Sequence, residues 1–124
     1  MYDIEYLIDR GWFIPDTLKC DCGCDRQECT KELMSSLTEL ASCMEERITI
    51  VTGFICPEYC DRFPGYADSG HKLGTDVDIL VVGQYYRHKI LKYVTTIFPV
   101  VTLTPRIFHL SVRSDWPQNI CHIS

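Results

Sequence analysis

The sequence has no cluster of basic residues and no long hydrophobic stretch. It contains 12 Lys and Arg residues against 17 Asp and Glu residues, which gives a net charge of −5. We expect no nucleic-acid partner, because binding to phosphates needs a concentrated positive surface. The longest apolar run, Ile79–Val82, is far too short to span a bilayer. We therefore expect no membrane partner either.

An export signal, internal repeats and linker-like segments are also lacking. The first residues, 1–5, contain no basic region and lead into no long apolar segment, so we expect synthesis in the cytoplasm. The chain of 124 residues is long enough to bury one hydrophobic core and too short for several. The sequence therefore predicts a single domain over residues 1–124.

Three segments carry the periodicity of amphipathic helices. Apolar residues recur at three- and four-residue intervals over residues 33–44 and again over residues 86–97. Thr30 precedes the first of these segments and can cap it. Residues 3–10 have Ile4, Leu7 and Ile8 on one face and predict a shorter helix that ends at Gly11.

Strand-forming segments alternate with these helices. β-branched or alternating apolar residues predict four strands, at 47–52, 77–82, 100–103 and 107–112. The last two flank Pro105 and suggest a hairpin. We expect the irregular segments 20–29 and 56–70 to be loops. The pattern indicates an α+β fold, a mostly antiparallel sheet with helices packed on it.

Two polar residues stand out in the predicted strands. Asp78 lies between Val77 and Ile79, and a buried carboxylate is costly unless it is paired or binds a metal. Strand alternation places His109 on the face opposite Phe108. Asp78 could instead accept hydrogen bonds from loop amides, and His109 could be an ordinary surface or core histidine. Two histidines and one aspartate are nevertheless enough for a zinc site with an open position.

The chain contains eight cysteines, which leave the redox state open. They are Cys20, Cys22, Cys24, Cys29, Cys43, Cys56, Cys60 and Cys121. The one-residue gaps between the first three fit poorly to a usual zinc knuckle, in which two residues separate paired cysteines. Cys56 and Cys60 could complete a second metal cluster with them. Disulfides and reduced thiols remain alternatives, since no export signal favours an oxidising compartment.

The segment Ser69–Asp78 resembles the S-x-H-x-x-G-x-A-x-D signature of the zinc D-Ala-D-Ala peptidases, which share their fold with the Hedgehog signalling domain. Only the alanine position differs, being Asp76 here. The flanking segments Ile48–Pro57 and Ile107–Arg113 are similar to the family's strand-and-turn segment and to its terminal strand. The resemblance extends over about residues 18–113 and implies a Hedgehog/DD-peptidase type of fold.

The resemblance implies a function as well as a fold. It identifies His71, Asp78 and His109 as zinc ligands, and zinc as the cofactor. It implies hydrolysis of peptidoglycan stem peptides, the substrates of phage and bacterial lysis and remodelling enzymes. The cell wall would then be the site of action, and a peptidoglycan peptide or another peptide ligand would be the partner.

Two positions of this sequence differ from active members of the family. Arg106 stands where a glutamate commonly lies three residues before the last histidine. Ile55 stands where an arginine steadies the substrate or the developing oxyanion. Asp76 and Asp115 are available carboxylates, although neither occupies a catalytic position of the family. The sequence therefore predicts either a peptidoglycan metallopeptidase, active or degenerate, or a non-catalytic zinc-bearing module that binds a cell-wall or protein partner.

Overall fold

The computed structural model describes residues 1–20, 22–60, 70–113 and 120–123. Its helices are α1 (Ile4–Asp9), a 3-10 helix (Pro15–Leu18), α2 (Lys31–Met44), α3 (Pro57–Cys60), α4 (Gly70–Leu73) and α5 (Gln84–Ile97). Its strands are β1 (Thr49–Thr52), β2 (Asp76–Leu80), β3 (Val100–Leu103), β4 (Ile107–Ser111) and β5 (Ile120–Ile123).

The five strands form one sheet in the order β1-β2-β4-β3-β5. The first four are paired antiparallel, and β5 pairs parallel to β3. The predicted α+β fold with a mostly antiparallel sheet is confirmed, as is the hairpin of β3 and β4. The sequence pattern did not predict β5.

The hydrophobic core lies between one face of this sheet and the long helices. Leu33, Leu37 and Leu40 of α2 and Ile90 and Val94 of α5 are fully buried. They belong to one apolar cluster with alternate residues of the central strands, Val77, Ile79, Phe108 and Leu110. Because side chains alternate along a strand, the intervening polar residues of β2 and β4 lie on the other face.

The predicted helix boundaries agree closely with the structure. The Thr30 hydroxyl accepts a hydrogen bond from the backbone N–H of Leu33, as expected of a cap of α2. Asp3 caps α1 in the same way, through the N–H of Tyr6. Gly11 follows α1 with a φ of +70°, a left-handed conformation that glycine adopts readily.

The loop predicted over residues 56–70 is wrong in part. Residues 57–60 form the short helix α3, and Gly70 begins α4. Pro57 suits the first position of a helix, where its missing N–H costs nothing. Residues 61–69, including Ser69 of the signature, lie outside the described residues. No helix within the described ranges has both the length and the apolar character needed to cross a membrane.

Candidate metal centre

The pairing of β2 with β4 brings two of the three predicted ligands together. Asp78 and His109 are direct partners in the antiparallel register. Both lie on the face away from the helical layer, so their side chains stand next to each other. Asp78 Oδ1 lies 2.6 Å from His109 Nδ1. Their proximity therefore follows from the sheet register and does not depend on loop conformation.

His71 reaches the same place from α4. Its side chain is 3% exposed, and its Nδ1 lies 2.9 Å from the carbonyl oxygen of Gly53, just after β1. An Nδ1–H that donates to this carbonyl leaves Nε2 facing Asp78, where it donates a hydrogen bond when it carries a proton and offers a lone pair to a metal when it does not. Nε2 lies 3.3 Å from Asp78 Oδ2. The second nitrogen of His71 is thus held towards the carboxylate.

His71, Asp78 and His109, which we call the triad, each offer one ligand atom, and these atoms all lie within 4.8 Å of one another. Nitrogen and oxygen ligands about 2.1 Å from a tetrahedral zinc ion lie about 3.4 Å apart. The 3.3 Å between His71 Nε2 and Asp78 Oδ2 matches that separation. The 2.6 Å between His109 Nδ1 and Asp78 Oδ1 is shorter than that separation by about 0.8 Å, so these two side chains would have to move apart for the triad to hold a metal ion.

Asp76 forms an outer layer behind the triad. It is fully buried, and its Oδ2 lies 2.7 Å from Nε2 of His109. Its Oδ1 accepts hydrogen bonds from the hydroxyls of Ser111 and Thr75, at 2.7 and 2.8 Å. A carboxylate that accepts a hydrogen bond from a ligand histidine fixes the ring and raises its basicity. Asp76 therefore orients His109 towards Asp78.

The pKa values around the triad follow from burial and these hydrogen bonds. For Asp78, burial raises the pKa, but hydrogen bonds with His109 and His71 outweigh it and lower the pKa to about 2. Burial raises the pKa of Asp76 too, and hydrogen bonds from His109, Ser111 and Thr75 leave it lowered. Burial lowers the pKa of His109, but the two carboxylates raise it to about 9.

Two carboxylates and two imidazole rings therefore meet in one partly buried cluster. The lowered pKa values of Asp76 and Asp78 favour their ionised forms, and uncompensated charge is costly away from water. Protons on the histidines or a bound divalent cation would compensate for these two charges, and imidazole nitrogens with a carboxylate oxygen suit zinc.

A glycine makes room for the outer carboxylate. A Cβ atom at Gly70 would lie 2.0 Å from Cγ of Asp76, far inside any allowed contact. The signature of the peptidases has alanine at position 76, and the larger aspartate fits here because Gly70 has no side chain. Gly74 ends α4 with a φ of +73° and packs against the carbonyl of Glu28, so the turn into β2 also depends on glycine.

The structure changes the roles that the sequence pattern suggested for the two aspartates. Asp78 was the expected buried carboxylate, but its side chain is 23% exposed and the fully enclosed one is Asp76. The signal was present in the sequence, because residues two apart in a strand share a face. Asp76 is therefore an outer partner of His109. Asp115 lies outside the described residues.

The two positions at which the sequence differs from the peptidases that it resembles lie in different surroundings. Arg106 is exposed in the turn before β4, and its carbonyl accepts a hydrogen bond from the N–H of Val81. Ile55 is 4% exposed and packs in a small apolar cluster with Cys20, Phe54 and Cys56. The side chain at position 55 is therefore part of a core and does not act as a substitute for the family's arginine.

A second group of ligand atoms lies next to this apolar cluster. The sulfur atoms of Cys20, Cys22, Cys24 and Cys56, which we call the cysteine cluster, all lie within 4.8 Å of one another. Cys20 and Cys56 are buried, whereas Cys22 and Cys24 are exposed. The cysteine cluster could hold a metal ion. Cys29, which the sequence spacing grouped with the first three, is not among the four.

Comparisons with known proteins leave the chain without an assigned relative. No family model matches the sequence, and neither a curated protein nor a solved structure matches it. The residues and distances of the candidate centre are therefore the basis for its function.

Proposed function

We propose that the triad binds one zinc ion and that the chain is a peptidase-like zinc domain of the D-Ala-D-Ala peptidase and Hedgehog type. The observation that carries the proposal is the convergence of His71 Nε2, Asp78 and His109 Nδ1, with the other nitrogen of each histidine ring held by a hydrogen bond. Neutral imidazoles and a carboxylate are the ligand set of many catalytic zinc sites. Three protein ligands leave a position open for water or substrate.

The reaction that we propose is slow hydrolysis of a peptide bond in a peptidoglycan stem peptide, the substrate class that the sequence resemblance implies. Bound zinc supplies a Lewis acid that activates water and polarises a carbonyl. Within the chain, His71, Asp78 and His109 would bind the zinc ion, and Asp76 holds the ring of His109 in position. Asp76 is fully buried and has three hydrogen-bond partners, so it is poorly suited to receive a proton from water as a general base.

The altered positions lower the expected rate. A general base contributes about 10²–10⁴ in rate and an oxyanion donor about 10²–10³. Arg106 cannot act as the family's glutamate, and Ile55 cannot donate a hydrogen bond from its side chain. We therefore expect weak or undetectable turnover of D-Ala-D-Ala and stem peptides by the wild-type protein.

The second candidate function is a zinc-bearing module that binds a cell-wall or protein partner without cleaving it. The burial of Ile55 favours this candidate, because an apolar core occupies the place of a substrate-contacting arginine. A degenerate peptidase should cleave its substrate faster when a catalytic base is added, whereas a binding module should bind the substrate without cleaving it.

Arg106→Glu tests the peptidase proposal directly. The substitution adds a carboxylate at the family's position on an exposed turn, so folding should be unaffected. We expect cleavage of muropeptides to increase by about 10²-fold, the lower range for a general base. Lys92→Glu on α5 is a matched control, since it makes the same charge change at an exposed helix position.

The outcomes separate the candidates. An increase in Arg106→Glu that disappears on removal of zinc, with no change in Lys92→Glu, supports a degenerate peptidase. Binding of muropeptides without cleavage by either protein favours the binding module. Strong cleavage by the wild type that is unaffected by His109→Ala would contradict a zinc peptidase at the triad.

A further inference from the structure

We propose that the cysteine cluster is a second metal site, in which Cys20, Cys22, Cys24 and Cys56 bind a structural zinc ion as thiolates. This ion would join the loop that follows the 3-10 helix to the segment that follows β1. The segment after β1 also contacts His71, through the carbonyl of Gly53, so the second site would support the triad. The first part of the inference is independent of the proposed function, and only the support of the triad depends on it.

The positions of the sulfur atoms carry the inference. Sulfur ligands at about 2.3 Å from a tetrahedral zinc ion lie about 3.8 Å from one another. Here Cys20 Sγ lies 3.4 Å from Cys22 Sγ, and Cys22 Sγ lies 3.5 Å from Cys56 Sγ. All four sulfurs lie within 4.8 Å of one another. The cluster is therefore close to the size of a four-thiolate zinc site before any metal is added.

The arrangement is harder to explain by free thiols or by disulfides. Four sulfurs from two distant segments converge on one point, whereas disulfides join sulfurs two at a time and give two such pairs no reason to meet. The backbone N–H of Cys56 also points at Cys20 Sγ, 3.3 Å away. Hydrogen bonds to a sulfur ligand stabilise the charged thiolate form. Four thiolates arranged as a tetrahedron are typical of zinc.

The chain around the first three cysteines has little regular structure to hold it. Gly23 and Asp25 adopt φ values of +91° and +64°, which turn the chain back on itself. The N–H of Cys20 then bonds to the carbonyl of Arg26, and Arg26 pairs with Glu58. A metal that binds three residues of this loop would supply the cohesion that a helix or a strand supplies elsewhere.

Cys56 connects this loop to the triad. It ends the segment Gly53–Cys56, whose first residue offers its carbonyl to Nδ1 of His71. The N–H of Ile55 donates to the backbone carbonyl of His71, and the N–H of Phe54 donates to that of Leu18. A constraint on Cys56 therefore restricts the same backbone that sets the tautomer and position of His71.

The experiment is a metal analysis of the full chain, expressed with zinc and purified under reducing conditions. We expect about two zinc ions per chain in the wild type, one at each site. Substitution by cobalt should give the intense thiolate-to-cobalt absorption in the near ultraviolet, which the nitrogen and oxygen ligands of the triad cannot produce. Cys22→Ser with Cys24→Ser changes the two exposed ligands, so the fold should tolerate it, and this absorption should be lost.

Cys43→Ser is the matched control. Cys43 lies on α2, outside the cysteine cluster, and its replacement should leave the number of metal ions and the absorption unchanged.

In Cys22→Ser/Cys24→Ser, we expect the zinc affinity of the triad to fall by about tenfold, the low end of the range for a lost outer contact.

The two sites can fail separately. His71→Ala should remove one zinc ion and keep the cobalt–thiolate absorption. If the wild type shows this absorption but its triad binds no metal, the inference is supported and the proposed function is contradicted. A wild-type protein that binds zinc without any cobalt–thiolate absorption would overturn the inference. So would a disulfide within the cysteine cluster in the native protein, or iron as its bound metal.

Discussion

The triad and the cysteine cluster differ in what holds their ligand atoms together. Asp78 and His109 are paired residues of neighbouring strands, with Asp76 behind them, and a sheet fixes their spacing without a metal. The cysteine cluster draws its sulfurs from an irregular loop and from a segment that follows β1. Asp78 and His109 are thus placed by sheet pairing, whereas the sulfurs of the cysteine cluster are placed by a loop that a bound ion would stabilise.

This difference separates two uses of a metal ion. A site whose ligands are held in place before binding keeps its geometry when the metal leaves, and a position can remain open for chemistry. A site with four thiolates has no open position, and its binding energy contributes to folding. We expect metal removal to affect the two regions in different ways.

The largest expected effect is the loss of a ligand from the triad. Asp78→Ala should lower the zinc affinity of the triad by more than about 100-fold, because an outer partner alone typically contributes 10- to 100-fold. The change should not unfold the protein, since the Asp78 side chain is partly exposed and the strand pairing is independent of it. Competition with a chromophoric chelator measures the affinity. An unchanged affinity would place the zinc elsewhere.

Metal removal should have its next largest effect in the cysteine loop. In the chelated protein we expect backbone hydrogen exchange over residues 22–26 to increase by at least about tenfold, because the loop loses its link to Cys56. Exchange at β2 and β4 should change little, since their ladder of hydrogen bonds remains. Equal increases in both regions would show that the triad also depends on metal for its geometry.

A smaller effect is expected from the outer carboxylate. Asp76→Asn keeps the size of the side chain but weakens the hydrogen bond that orients His109, so zinc affinity at the triad should fall by about 10- to 100-fold. Asp16→Asn is the control, since Asp16 is 85% exposed on the 3-10 helix. The cobalt–thiolate absorption should be the same in both variants. A triad affinity equal to that of the control would remove Asp76 from the site.

The smallest effect is expected at Cys29. Burial raises the pKa of this thiol to about 11, and its sulfur is not among the four of the cysteine cluster. Cys29→Ser should therefore leave the number of metal ions unchanged, with a loss of stability of about 1 kcal/mol from placing a hydroxyl in a half-buried apolar position. Loss of a zinc ion in this variant would show that the sequence spacing, and not the spatial grouping, identifies the ligands.

Local patterns predicted most of the fold. The helical periodicity of α2 and α5 and the alternation in β2 and β4 depend on residues close in sequence, and the structure confirms these elements. Strand β5 has only four residues, and its place is set by parallel pairing with β3, about 20 residues earlier. Such a pairing leaves no periodic signal in a short segment.

The candidate sites show the same limit. The triad residues were predicted from a motif, and the structure brings all three together. The place of Asp76 behind His109 follows from the sheet register and from the space at Gly70. Neither feature can be predicted from the residue type at position 76 alone. The choice of Cys56 over Cys29 depends on the contact of the chain after β1 with the 3-10 helix, a tertiary feature.

The most direct test of the triad is an anomalous difference map at the zinc edge, from crystals grown with zinc. We expect a peak about 2.0–2.2 Å from His71 Nε2, an oxygen of Asp78 and His109 Nδ1. A map with no peak there, in which His109 Nδ1 still lies 2.6 Å from Asp78 Oδ1, would contradict the account. A proton on His109 would then join the two side chains, and the triad would be a structural cluster of hydrogen bonds.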